Sequence, residues 1–149
     1  MTGRYFEEFA VGSEIVSAGQ TLTQDAIIAF AALYDPQAFH IDVEAARTSP
    51  YGGLIASGFQ TLAVAFRMFL DTGVLAGTSF GSPGMDDLRW VRPVRPGDTL
   101  HTIARVIEAR ASASKHDRGI VRAAFRVLNQ RDEEVLTFST TVFVARRPN

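Results

Sequence analysis

The chain has no cysteine, one lysine (Lys115) and one tryptophan (Trp90) among its 149 residues. Without thiols it can form no disulfide, thiol nucleophile or thiolate metal site. Its three histidines, His40, His101 and His116, are far apart and give no ligand-spaced pair, so no metal centre is expected. An excess of one charge is missing too. Lys and Arg total 15 against 16 Asp and Glu, a net charge of −1, which leaves no electrostatic footprint for nucleic acid. The most apolar stretch, Phe59 to Leu70, contains Arg67 and is too short to span a bilayer. The first residues carry Arg4, Glu7 and Glu8 and lack the apolar centre of a secretory signal. These absences predict a cytoplasmic protein with no nucleic-acid or membrane partner.

What remains is an ordinary globular composition, 46% hydrophobic and 21% charged. The length fits one domain over residues 1–149 with a real core. Tyr5, Phe6 and Phe9 are expected to anchor an irregular entry. Glu14 to Ala18 reads as a short strand. Thr23 is a good N-cap with Asp25 in the first turn. Ala26, Ile27, Phe30, Ala31 and Tyr34 then recur at helical spacing, and Pro36 ends that helix. Val43 to Arg47 offers one more turn, and Ser49-Pro50-Tyr51-Gly52-Gly53 is a turn cluster. From Ser57 to about Thr72 the chain is apolar nearly all round, which predicts a buried helix. After Ser82-Pro83-Gly84 the period changes to two. Met85 to Val91, Thr99 to Ala109, Gly119 to Gln130 and Glu134 to Ala145 read as four meander-linked antiparallel strands, with a hairpin turn at 129–132. The expected fold is α+β: a curved antiparallel sheet wrapped around a central apolar helix at about 57–72.

The chemistry concentrates between residues 30 and 59. Asp35 and His40 lie five residues apart with Pro36 and Gln37 between them, so the segment reads as a loop. A carboxylate and an imidazole on one bent loop can converge on a single water and move its protons. A second Gly-rich loop ends in Ser57-Gly58 and opens the apolar helix, whose first turn offers free backbone amides. Acid, histidine and amide donors together make a plausible site. Ser57 either touches substrate or caps the helix; Gln37 either orients Asp35 or His40 or faces solvent. Asp42 reads as a cap for the following turn. Arg89, Arg92 and Arg95 read first as a solvated strand face, with phosphate contacts as the alternative. Trp90 reads as core or tunnel wall, and His101 and His116 as surface residues.

Taken together these residues resemble the MaoC-like dehydratase or (R)-specific enoyl-CoA hydratase family of the hotdog fold, over nearly the whole chain. That family's signature runs roughly F-A-x-x-x-x-D-x-N-P-x-H-x-D, then A-x-x-S-x-F-G-x-x-I-A-H-G. Its counterparts here are Phe30-Ala31, Asp35, Gln37, Ala38, His40 and Asp42, then Ala46, Ser49, Tyr51, Gly52, Ile55, Ala56 and Gly58. Arg92-Pro93-Val94-Arg95-Pro96-Gly97-Asp98 matches the family's connection into its sheet. The resemblance implies a homodimer with a site near its interface and a tunnel for an acyl thioester carried on coenzyme A or acyl carrier protein. It implies catalysis by Asp35 and His40, an oxyanion donor at the Gly58 amide, and no cofactor beyond the coenzyme A of the substrate. The reaction implied is interconversion of a 2-enoyl and a 3-hydroxyacyl thioester. A hotdog thioesterase and a non-catalytic acyl-thioester binding module are the competing readings. Three positions depart from the family: Gln37 for Asn, Ala38 for Pro, and Ser57 for a frequent His. The small Ser57 is expected to leave room for an acyl group substituted near its reacting carbons.

Overall fold

The computed structural model describes residues 2–149. Chain order is a 3-10 turn at Phe6–Glu8, strands β1 (Glu14–Val16) and β2 (Gln20–Thr21), then helices α1 (Gln24–Tyr34), α2 (Ala38–Ile41), α3 (Val43–Arg47) and α4 (Gly58–Asp71). Strands β3 (Met85–Trp90), β4 (Thr99–Ala111), β5 (Arg118–Leu128) and β6 (Glu134–Ala145) complete it. The caps act as their chemistry suggests. The Thr23 hydroxyl accepts the Ala26 N–H, and Asp42 accepts the N–H groups of Glu44 and Ala45.

All the strands join one antiparallel sheet, ordered β1-β4-β5-β6-β3, with β2 paired to β4. The meander expected from the alternation holds for β4, β5 and β6 only. β3 does not pair with its successor. It lies beyond β6, where Met85 faces Thr140 and Trp90 faces Leu136. The Pro-rich connection at 91–98 carries the chain from that edge back to β4, with Val94 buried.

α4 lies in the concavity of the sheet. Ala65 has no side-chain bulk to hold the surfaces apart, so Thr102 Oγ1 of β4 donates to the Ala65 carbonyl at 3.0 Å. Phe69 meets Phe125 edge-on, 5.0 Å between ring centroids, and Phe125 stacks on Phe138 at 4.6 Å. Phe9 is buried and Phe6 packs on the core, as the entry segment predicts. α4 is not buried all round, however. Gln60, Thr61, Ala65, Met68 and Phe69 face inward, whereas Phe59 is 59% exposed and Leu70 also opens outward. Leu62, Val64 and Phe66 pack partly buried against the core, so the exposed large apolar side chains of α4 are Phe59 and Leu70. The segment around His40 also differs from expectation. It is a single helical turn, α2, restarted from extended backbone at Gln37 once Pro36 has ended α1.

Candidate active site

Asp35 sits at the C-cap of α1, its backbone N–H bonded to the Ala31 carbonyl at 2.9 Å. The chain turns there because Pro36 offers no N–H to continue the helix. Gln37 N–H returns to the Asp35 carbonyl at 2.8 Å, and His40 N–H to the Gln37 carbonyl at 2.9 Å. That turn brings the two side chains together: His40 Nε2 stands 3.2 Å from Asp35 Oδ2. The imidazole is buried, 4% exposed.

The other ring nitrogen fixes the proton arrangement. His40 Nδ1 lies 2.7 Å from the backbone carbonyl of Ile55. A carbonyl only accepts, so Nδ1 carries hydrogen. Nε2 is thereby the nitrogen turned toward Asp35 Oδ2. The segment that supplies the Ile55 carbonyl is held twice: Ile55 N–H bonds to the Phe39 carbonyl at 3.1 Å and Ala56 N–H to the Val94 carbonyl at 2.8 Å.

Burial pushes the Asp35 carboxyl up. Hydrogen bonds from Gln37 and Ser57, with the His40 imidazole, outweigh that effect and hold it below the usual carboxylate range. Gln37 Nε2 donates to Oδ1 at 2.7 Å and Ser57 Oγ donates to Oδ2 at 2.8 Å. Ser57 also caps α4, its Oγ accepting the Phe59 N–H at 3.3 Å.

Asp35 and His40 form part of the wall of a cavity of about 570 Å³. Most of the rest is apolar: Phe39, Tyr51, Ile55, Phe59, Trp90 and Val94. Gly58, the first residue of α4, lines it as well, and its N–H has no acceptor among the described residues. A Cβ built on Gly58 would lie 2.4 Å from both Cε2 and Nε1 of Trp90. Any side chain there would have to displace the half-exposed indole. Ser57, by contrast, is fully buried and is not part of the cavity wall. Its hydroxyl turns to Asp35, so it is not placed to open room beside an acyl group.

The arginines divide. Arg95 donates to the carbonyls of Tyr51 (2.6 Å) and Gly53 (3.4 Å), holding the Gly-rich loop. Arg92 lines the cavity while donating to the Glu134 carbonyl at 3.0 Å and lying 3.5 Å from Glu133. Arg89 bonds only to the neighbouring Leu88 carbonyl and lies off the cavity. Sequence reasoning had no access to the Ile55 carbonyl or to the Trp90–Gly58 contact. A backbone acceptor carries no residue signature, and the contact joins positions 32 apart. Among the described residues no three His, Asp or Glu side chains are grouped to hold a metal ion, and no helix is long and apolar enough to cross a membrane.

The MaoC-like dehydratase from Rhodospirillum rubrum, a crystal structure, superposes with a TM-score of 0.92 at 42% identity, covering 99% of this chain and 100% of that one. The mesaconyl-CoA hydratase of Cereibacter sphaeroides is 32% identical over 97% of this chain, which spans only 42% of that relative's length. A Mycobacterium tuberculosis protein with a double hotdog fold matches 99% of this chain and 46% of its own at a TM-score of 0.81. At 20% identity it supports the hotdog fold alone. The family model described as MaoC like domain matches residues 8–124, and the chain belongs to that family.

Proposed function

We propose that the chain interconverts a 2-enoyl thioester and a 3-hydroxyacyl thioester by adding or removing water, with Asp35 and His40 exchanging the protons. One observation carries this reading. Nε2 and Oδ2 lie 3.2 Å apart in the wall of an apolar cavity, with the opposite imidazole nitrogen locked by the Ile55 carbonyl. The names of the two similar proteins above, a dehydratase and a hydratase, support it.

The proton count closes. As water oxygen bonds to C3, the pair accepts the second water proton and then delivers one proton to C2. It ends as it began, so the reaction needs no net proton source. Between these steps negative charge develops on the thioester oxygen. The free N–H of Gly58, reinforced by the α4 N-terminus, is the donor positioned to hold it. The apolar wall suits an acyl chain. Coenzyme A or an acyl carrier enters as part of the substrate, and the chemistry asks for no metal or redox group.

The same reading includes a second copy of the chain. β3 is an open edge strand, and Phe59, Trp90 (48% exposed), Val91 and Met85 are apolar groups on or beside it and the cavity mouth. An open edge with exposed apolar neighbours invites pairing. A homodimer built through that edge covers these exposed apolar groups.

The test is to incubate the protein with crotonyl-CoA and follow both enoyl absorbance and free thiol. Loss of the enoyl band without thiol release is expected. Thiol release in step with turnover would make the protein a thioesterase, and no change in either would leave an acyl-thioester binder.

A further inference from the structure

Two hydrogen-bond donors and the His40 imidazole converge on one carboxylate, and one of the three comes from a different part of the chain. Gln37 and His40 belong to the same turn as Asp35. Ser57 is 22 residues away, at the start of α4. Its side chain is fully buried, so no water competes for its hydrogen bonds. A hydroxyl has one proton and two lone pairs. Here the proton goes to Asp35 Oδ2 at 2.8 Å, and a lone pair accepts the Phe59 N–H of the first turn of α4 at 3.3 Å. One atom therefore ties the carboxylate to the turn that presents the Gly58 amide to the cavity. On the opposite side Gln37 Nε2 holds Oδ1 at 2.7 Å, so rotation of the carboxylate about its Cβ–Cγ bond breaks a bond on each oxygen.

Resting on the hydratase reading, we infer that Ser57 is a positioning residue that holds the Asp35 carboxylate in register with the Gly58 amide. Proton exchange at the reacting carbons and charge stabilisation at the thioester oxygen then act on a single substrate pose. Oδ2 is the oxygen nearest Nε2, and turning it away removes the acceptor from the pair. Misplacement on the ångström scale is enough to cost on the order of 10²-fold in rate. The other ionisable groups of the cavity wall are His40 at 3.2 Å, and Tyr51 and Arg92. Neither Tyr51 nor Arg92 hydrogen-bonds to the carboxylate. Gln37 and Ser57 are the neutral donors that define its orientation.

Helix capping alone predicts something different. At an N-cap glycine is nearly as good as serine, whereas alanine is markedly worse. Ser57→Gly therefore keeps the cap and deletes the hydroxyl, and Ser57→Ala deletes both. The experiment measures kcat and KM for crotonyl-CoA across pH in both variants and the melting temperature of each. It also follows the Asp35 carboxyl titration by carbon-13 NMR in wild type and Ser57→Gly. Both variants are expected to lose on the order of 10- to 100-fold in kcat, with KM within about three-fold of wild type. The acid limb of kcat and the Asp35 titration both move to higher pH, and the melting temperature of Ser57→Gly stays close to wild type. Wild-type kcat with an unmoved Asp35 titration in Ser57→Gly reduces Ser57 to a cap and overturns the inference. A raised KM at unchanged kcat also overturns it, by making Ser57 a substrate contact. Should the wild type fail to hydrate enoyl thioesters, the proposed function falls, and the carboxyl titration alone still decides whether Ser57 holds Asp35.

Discussion

Asp35→Asn tests the site at its centre. The substitution preserves shape and removes the carboxylate that stands 3.2 Å from His40 Nε2. Two hydrogen bonds must rearrange, those from Gln37 at 2.7 Å and Ser57 at 2.8 Å. The Asn amide is neutral and has one oxygen in place of two, so both donors lose a charged partner and one loses its acceptor. Hydrogen bonds to charged groups contribute about 1.5–3 kcal/mol, but Gln37 is exposed and can turn to water. The expected stability loss is about 1–2 kcal/mol, small against the 5–15 kcal/mol of an ordinary domain. The rate suffers far more. Loss of a positioned proton-transfer group costs on the order of 10²- to 10⁴-fold, or about 2.7–5.4 kcal/mol of barrier. His40→Ala is expected to cost the same, because Nε2 is the other end of one proton path. The double variant should then be little worse than either single, as residues acting as a unit are non-additive. The assay is hydration of crotonyl-CoA, with a thermal melt of each variant to show it is folded. Near-normal turnover in either folded single variant, or a double variant as slow as the product of both effects, would refute the shared proton path.

Three further outcomes follow from the same geometry. Gly58→Ala should fold, since its backbone is helical, but its Cβ must displace the half-exposed Trp90 indole; turnover should fall at least about ten-fold, and wild-type kcat would show that the placement of the indole wall does not matter. Light scattering at micromolar concentration should give twice the 16.3 kDa of one chain, and a monomer mass alone would remove the second copy. Asp35 has a lowered carboxyl pKa in the folded protein, so its charge stabilises the fold above its ordinary value of about 3.9 and that contribution is lost as pH falls through the lower folded value. Denaturant melts at pH 7 and at about pH 3 should therefore show the advantage of wild type over Asp35→Asn shrinking in acid, and a constant gap would contradict it.

Much of this was legible in the residues, and the illegible parts share a cause. Local chemistry reads well. Thr23 and Asp42 cap the turns they precede, Pro36 stops α1 at Tyr34, and the alternation from Thr99 onward gives three long strands to within a few residues. The closeness of Asp35 and His40 was readable for the same reason, because five residues bent by a proline leave little freedom. Pairing is different. A period of two says which face a residue takes but not which strand lies beside it, so Met85–Trp90 was placed next to β4 when it pairs with β6. Four residues carry no period, which hid α2, and the two residues of β2 carry less.

The features of the site that sequence could not supply are contacts between distant segments. The Ile55 carbonyl decides which nitrogen of His40 faces Asp35, and any residue at position 55 would offer the same oxygen. The Ser57 hydroxyl was recognisable as a cap because capping is local, whereas its bond to Asp35 depends on how α1 and α4 are packed. The apolar surface of α4 makes the converse point. Phe59 and its neighbours predict burial, yet a single sheet buries one face only, and Phe59 stays open at the cavity mouth. The hydrophobic pattern thus records more burial than one chain provides. Exposed apolar groups beside an open strand edge, Phe59, Trp90 and Val91 among them, are what a second copy would cover.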